Sequence, residues 1–129
     1  AAAFGVRAVV MLREAVNPYH PRCVRASAGA VFGLTLFRGP SIDRLPGFVE
    51  KKGLKLVALD RSGVPIADFR FPRGFLLLAG VEGQGLPEGL RVNAVSIPME
   101  ACVESLNAAV AASIALYAWR NSGGHQGRR

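Results

Sequence analysis

Short apolar runs alternate with helix-like segments along the chain, and this alternation constrains the fold more than any other feature. The runs predict strands at residues 6–12, 35–37, 54–59, 74–79 and 92–99. Helices are predicted between the first three runs, at residues 22–32 and 41–52, and after the last run, at residues 105–120. Strands that alternate with helices form a parallel sheet with helices on both faces. We therefore predict an α/β fold, with ligands at the carboxyl ends of the strands.

The length and composition fit one domain. The chain has 129 residues, of which 50% are hydrophobic and 19% charged. We predict a domain over residues 1–120 and a flexible basic tail over residues 121–129. The sequence shows no apolar run of membrane-spanning length and no leader pattern, so we expect a soluble, cytoplasmic protein without a membrane partner.

A glycine-rich loop, AGVEGQGLPEGL, follows the predicted strand at residues 74–79. Its glycines permit positive φ and close approach of the backbone to a ligand. Glycine-rich loops often bind phosphate, but the negative carboxylates of Glu82 and Glu88 would disfavour a phosphate ligand in this loop. The loop therefore predicts a ligand without phosphate, and a tight turn with solvated acids is the competing interpretation.

The segment SIPMEACVESLN follows the next predicted strand, so we expect it at the same edge of the sheet. Ser105 is predicted to cap the final helix. Asn107 has no evident benefit for the helix, and its amide can both donate and accept, so it is the stronger functional candidate. An apolar stripe predicts that both sides of the final helix are buried; its members are Val103, Leu106, Val110, Ser113 and Tyr117.

The charge is positive and unevenly distributed. Sixteen Lys and Arg against nine Asp and Glu give a formal net charge of +7, and residues 1–38 hold five arginines and one acid. Such a balance suits a phosphate backbone, whereas the competing interpretation is a charge that only keeps the domain soluble. Arg22 and Arg25 lie three residues apart, next to Ser27, and can grip a phosphate oxygen; a solvated helix face is the alternative.

Metal chemistry is not predicted. Two cysteines, Cys23 and Cys102, and two histidines, His20 and His125, have no ligand spacing. We expect both thiols to be reduced and structural.

Two segments together resemble one family. LLLAGVEGQGLPEGL and VNAVSIPMEACVESLNAAVAASIALYAWR resemble motifs two and three of the SpoU (TrmH-type) branch of the SPOUT RNA methyltransferases, and NPYHPRCVRASAGAVF resembles the segment that precedes them. The resemblance implies a parallel-sheet SPOUT (α/β knot) fold with a C-terminal deep trefoil knot. It also implies a homodimer that methylates the ribose 2′-hydroxyl of tRNA or rRNA with S-adenosylmethionine.

The resemblance further implies site residues. Glu82, Ser105 and Asn107 would orient the acceptor ribose, and Arg22, Arg25 and Ser27 would face the RNA. The implied contacts to S-adenosylmethionine are Leu59, Ala79, Gly80, Glu82, Gly83, Gly85, Ile97, Met99, Ser105, Leu106 and Asn107.

One element of the family pattern is not in these residues. The family's activating arginine lies in motif one, just before a segment like the opening AAAFGV. We therefore expect the protein to start upstream, and we expect these 129 residues alone to be inactive. The alternatives are an inactive RNA-binding module of the same fold, an RNA base methyltransferase of the wider superfamily, and a flavodoxin-like flavin protein.

Overall fold

The computed structural model describes residues 1–80, 87–91 and 93–122. The chain divides into two compact units, Ala1–Phe48 and Val49–Arg129. Among the described residues, no helix is both long enough and apolar enough to cross a lipid bilayer.

The first unit contains a two-stranded parallel sheet. Strand β1 (Ala8–Met11) pairs with strand β2 (Thr35–Arg38), with Ala8 opposite Thr35. Helix α1 (Pro21–Ala26) lies between them in the sequence and starts with proline, whose missing N–H costs nothing at the first helical position. Both strands occur where the apolar runs predict them.

Helix α1 is shorter than predicted. It ends at Ala26 rather than near residue 32, because Ala28 (φ 48°) and Gly29 (φ 78°) adopt left-handed conformations that a right-handed helix cannot accommodate. The chain then makes a separate 3₁₀ turn at Ala30–Gly33.

Helix α2 (Leu45–Lys51) begins later than predicted. A 3₁₀ turn, Ile42–Arg44, precedes it, so Pro46 lies in the first turn of α2, where proline is tolerated. The Ser41 hydroxyl hydrogen-bonds to the Asp43 carboxylate and lowers the pKa of that group.

The second unit contains a three-stranded parallel sheet in the order β4-β3-β5. The strands are β3 (Lys55–Pro65), β4 (Phe75–Leu78) and β5 (Ala94–Ser96). Ala58 in the central strand lies opposite both Leu78 and Ala94, so the three strands are aligned at this level. Among the described residues of this unit, the buried apolar ones are Val49, Val57, Ala58, Leu78, Leu90, Ala94, Val95, Ala115 and Leu116.

Strand β3 continues beyond residue 59, where the predicted strand ends, and carries residues 60–63 as a bulge. Leu59 and Val64 both align with Val95, so the four residues between them project from the ladder. Gly63 permits this geometry, because a Cβ there would lie 2.6 Å from the Ala94 carbonyl oxygen and from the Val95 nitrogen.

Helix α3 (Ala108–Asn121) differs from its prediction in two respects. It begins at Ala108 rather than near Ser105. The predicted burial of both its sides is wrong, because Val110, Ile114 and Tyr117 are 48%, 36% and 62% exposed.

The buried side of α3 packs on an aromatic cluster in the second unit. The Trp119 ring meets the Phe75 ring edge-on, with centroids 5.6 Å apart. Phe71 links Phe75 to Phe69, at centroid distances of 5.4 and 5.0 Å. These contacts hold the C-terminal end of α3 against strand β4.

The α/β class with parallel sheets is confirmed. The trefoil knot stays a prediction, because the loop around which it would form includes residues 81–86, outside the described part of the chain. The predicted tail at residues 121–129 likewise lies outside it, apart from Asn121 and Ser122 at the end of α3.

Candidate functional site at the carboxyl edge of the second sheet

Several predicted ligand contacts follow strand ends at one edge of the second sheet. Both outer strands run parallel to β3, so the chain leaves β4 at Ala79 and β5 at Ile97 on the same edge. Leu59 aligns with Val95 at the same level of the sheet. The two loops therefore start from the edge at which the sequence predicts them.

Space is available where the chain leaves β4. Gly80 is exposed, and an added Cβ would meet no atom within 4 Å among the described residues. The next predicted contacts, Glu82, Gly83 and Gly85, lie outside the described residues, and their role stays a prediction.

A polar bulge occupies the end of the regular part of β3. The Asp60 Oδ1 accepts hydrogen bonds from the Ser62 hydroxyl at 2.6 Å and the Ser62 N–H at 2.9 Å. The Arg91 Nε lies 3.4 Å from the Asp60 Oδ2. These bonds from Ser62, with a smaller contribution from Arg91, lower the pKa of Asp60.

The bulge also contacts the segment that precedes α3. The Arg61 guanidinium donates to the Glu104 carbonyl oxygen at 2.8 Å, and the Ser96 hydroxyl donates to the Gly63 carbonyl oxygen at 2.9 Å. Arg61 thus fixes the backbone immediately before Ser105. This role was not predicted, because the bond joins residues 43 positions apart and no local pattern in the sequence indicates it.

Asn107 caps α3, contrary to the prediction that Ser105 does so. The Asn107 Oδ1 accepts from the N–H groups of Ala109 at 2.9 Å and Val110 at 3.4 Å. The expectation that Asn107 gives the helix no benefit is therefore wrong. Within the described residues, this cap uses Oδ1 alone and leaves the amide Nδ2 available as a donor.

The other predicted contacts in this segment lie nearby in sequence. Ser105 is exposed and Leu106 is half-buried, directly before the cap. Met99 is half-buried and lies two residues after Ile97, on the path from β5 to α3.

The predicted RNA-facing residues lie on or beside α1 in the first unit. Arg22 and Arg25 are exposed and lie three residues apart on one helix face. The half-buried Ser27 hydroxyl donates to the Val24 carbonyl oxygen at 3.0 Å. The hydroxyl proton of Ser27 is therefore already used in a bond to a backbone carbonyl at the end of α1. Ser27 is better suited to ending this helix than to donating to a phosphate.

Both cysteine thiols are free, with Cys23 half-buried and Cys102 exposed. Exposure of Cys102 is at odds with the structural role expected for it. In the described part of the chain, no three His, Cys, Asp or Glu side chains gather closely enough to hold a metal ion.

Comparison with known proteins adds a family match. The model of the SpoU rRNA Methylase family matches residues 1–117. A Streptomyces viridochromogenes protein named 23S rRNA (uridine(2479)-2'-O)-methyltransferase is 36% identical over 89% of this chain and 43% of its own length. A Syntrophobacter fumaroxidans protein named Ribosomal RNA small subunit methyltransferase G 2 is 47% identical over 95% of this chain, but only 24% of its own length is matched.

Solved structures of the same kind are similar in fold. The SpoU methyltransferase AviRb from Streptomyces viridochromogenes, solved with AdoMet, has a TM-score of 0.81 and 35% identity, over 98% of this chain and 51% of that one. An AdoMet-bound rRNA methyltransferase from Sinorhizobium meliloti has a TM-score of 0.81 and 28% identity, over 94% of this chain and 48% of that one. The chain therefore spans about half or less of each of these relatives.

Proposed function

We propose that this protein transfers a methyl group from S-adenosylmethionine to the 2′-hydroxyl of a ribose in ribosomal or transfer RNA. The chain belongs to the SpoU rRNA Methylase family, whose model matches residues 1–117. The observation that carries the proposal is the match to a relative named as a ribose 2′-O-methyltransferase, which covers 89% of this chain. The residues that the family model matches include the strand edge and the cap of α3, where the candidate site lies.

The residues at this edge suit an adenosyl ligand. Such a ligand carries no phosphate, so it needs a largely apolar cleft with hydrogen-bonding groups rather than a phosphate cradle. The open space at Gly80 and the available amide of Asn107 meet these needs. Leu59, Ala79, Ile97, Met99 and Leu106 would line the cleft, with Glu82, Gly83, Gly85 and Ser105 completing it. Bound there, S-adenosylmethionine would supply an electrophilic methyl group on a sulfonium ion.

The protein would contribute mainly by positioning. The acceptor 2′-oxygen must lie in line with the bond that breaks, and its proton must leave. The Ser105 hydroxyl and the Asn107 amide belong to one short segment at the start of α3, where they can orient a ribose hydroxyl. Arg61 would hold that segment in place through the Glu104 carbonyl. Glu82 is the third residue that we propose for orienting the acceptor.

RNA would bind to the first unit. This unit holds six arginines and only two acids, Glu14 and Asp43. The Glu14 carboxylate accepts from the Ile42 N–H at 3.3 Å, and Asp43 is bonded to Ser41, so both acids are engaged around residues 41–44. Arg22 and Arg25 on α1 are the proposed phosphate contacts.

We also propose a homodimer. The exposed Val110, Ile114 and Tyr117 recur at spacings of four and three on α3, so they form one apolar helix face. A second copy of the protein would cover this face. An RNA substrate of the proposed kind is consistent with the cytoplasmic location expected from the sequence.

Calorimetry with S-adenosylhomocysteine tests the proposal. The full-length protein should bind it with micromolar affinity, and Gly83→Val should abolish binding because a β-branched side chain would block the backbone approach. Gly47→Val is the matched control, since Gly47 is exposed on α2 and has open space around it. Failure of the full-length protein to bind would contradict the proposal and favour an inactive RNA-binding module.

A further inference from the structure

Two aromatic side chains in the first unit stack on each other at the protein surface. The rings of Tyr19 and Phe32 have centroids 6.1 Å apart and planes inclined by 22°. Nevertheless, Tyr19 is 56% exposed and Phe32 is 68% exposed. The pair therefore keeps a large apolar surface in water, which the stability of the unit alone does not explain.

The backbone around α1 holds both rings in place. The Tyr19 N–H donates to the Asn17 side-chain oxygen at 3.0 Å, which fixes the turn before the helix. After the helix, the Gly29 N–H donates to the Val24 carbonyl at 3.0 Å, and the Phe32 N–H donates to the Gly29 carbonyl at 3.1 Å. The left-handed turn at Ala28 and Gly29 thus returns the chain so that Phe32 meets Tyr19.

The charge around this pair is positive. Residues 15–37 contain Arg22 and Arg25 and no acid, and both arginines are exposed on the helix that joins the two rings. Like charges on two copies would repel, so a second copy of this surface is a poor occupant. A polyanion with flat apolar groups is complementary to it.

We propose that Tyr19 and Phe32 form a stacking platform for an unpaired nucleobase of single-stranded RNA, next to phosphates held by Arg22 and Arg25. Single-stranded RNA exposes base faces that a duplex keeps stacked, and proteins bind such bases on aromatic rings flanked by basic residues. The inference rests on the proposed function and narrows its substrate to a loop, bulge or other unpaired segment.

RNA binding by the full-length protein tests the platform. The probes are a single-stranded oligonucleotide carrying 2-aminopurine and a blunt duplex of the same length. We expect the protein to quench 2-aminopurine and to prefer the single strand. Tyr19→Ala combined with Phe32→Ala should weaken single-strand binding by about 5- to 100-fold and abolish the quenching. Phe37→Ala, an exposed aromatic on β2 of the same unit, is the matched control and should change neither.

The salt dependence separates the platform from the arginines. RNA affinity falls as salt rises, and the double variant Arg22→Gln, Arg25→Gln should make this fall less steep. The slope of log affinity against log salt should become less negative by about 0.7 for each phosphate of the single strand that the protein no longer neutralises. The aromatic double variant should leave this slope unchanged, because stacking releases no counterions. Tyr19→Phe retains the ring and should bind as the unchanged protein does.

If the aromatic double variant binds RNA normally while S-adenosylhomocysteine still binds, the platform is wrong and the proposed function stands. If the unchanged protein binds neither RNA nor S-adenosylhomocysteine, both proposals fail. Loss of binding to anionic lipid vesicles in the double variant, with RNA binding intact, would identify a membrane surface instead and overturn the platform. Circular dichroism and thermal melting verify that each variant is folded.

Discussion

The Arg61 guanidinium donates a hydrogen bond to the Glu104 carbonyl oxygen at 2.8 Å, and this bond joins the β3 bulge to the segment that leads into α3. The anchored carbonyl immediately precedes Ser105 and lies three residues before the helix cap, Asn107. A residue on one strand therefore fixes the backbone that carries two of the proposed substrate contacts.

Arg61→Ala should weaken binding of S-adenosylhomocysteine about fivefold, because the segment loses a hydrogen bond worth about 1 kcal/mol. Arg61→Lys should restore part of the affinity, since lysine can still donate to the carbonyl. Arg70→Ala, an exposed arginine in the same unit, is the control. Calorimetry that gives the same affinity for both alanine variants would show that Arg61 does not position the site.

Asn107 is expected to have two separable roles, as the cap of α3 and as an amide donor to the bound ligand. Asn107→Ala should lower the free energy of unfolding by about 1 kcal/mol because it removes the cap of α3. Asn107→Asp should retain most of that stability, since aspartate also caps helices, but should not bind S-adenosylhomocysteine normally because it lacks the amide donor. Chemical denaturation and calorimetry on the two variants provide the comparison. Normal binding by Asn107→Asp would limit Asn107 to a structural role.

Gly63 and Gly47 should respond to alanine with opposite signs. Gly63→Ala should lower the free energy of unfolding by about 1–3 kcal/mol, because its Cβ would collide with the backbone of Ala94 and Val95. Gly47→Ala should raise it by up to about 1 kcal/mol, because Gly47 lies in α2 with open space around it. Urea denaturation measures both changes. Equal stability of Gly63→Ala and the unchanged protein would refute the close packing of the bulge on β5.

The Asp60 carboxylate should make stability depend on pH in the acid range. Its pKa is lower in the folded protein than in the unfolded chain, so the unfolded chain takes up the proton first as pH falls. The stabilisation is therefore complete above the ordinary aspartate pKa and is lost as pH falls through the folded value. Asp60→Asn should remove this part of the acid dependence of unfolding.

Ser62→Ala should raise the pKa of Asp60 towards its ordinary value, because Ser62 supplies the largest contribution to the lowering. Carboxyl-detected NMR titration measures that pKa directly. Ser122→Ala is the matched control, since the Ser122 hydroxyl bonds to the Trp119 carbonyl at the far end of α3. An Asp60 pKa that is the same in both variants would contradict the assigned cause.

The sequence is sufficient for the strands and for the edge at which the loops emerge. Each strand includes a short apolar run, and α1 lies in the sequence between the parallel strands β1 and β2. In the described part of the chain no α-helix separates β3, β4 and β5, so the parallel order of the second sheet does not follow from helices between the runs. The bulge in β3 is different, because it depends on Leu59 and Val64 both aligning with Val95 on another strand. No local pattern at residues 59–64 contains that information.

The cap of α3 shows a similar limit. Ser105 and Asn107 are both good caps, so residue type alone does not choose between them. The choice depends on where the chain enters the helix. Arg61 binds the carbonyl of Glu104, the residue before Ser105, although the two residues are 43 positions apart in the sequence. The exposed face of α3 was missed for a related reason, since alanine-rich periodicity identifies an apolar helix without showing which side has a neighbour.

The decisive measurement for the proposed ribose methylation is the analysis of methylated nucleosides. The full-length protein, including any segment upstream of Ala1, is incubated with isotope-labelled S-adenosylmethionine and either ribosomal or transfer RNA. The RNA is then digested to nucleosides and measured by mass spectrometry. We predict that the label appears in a 2′-O-methyl nucleoside. Label found only on a nucleobase would contradict it.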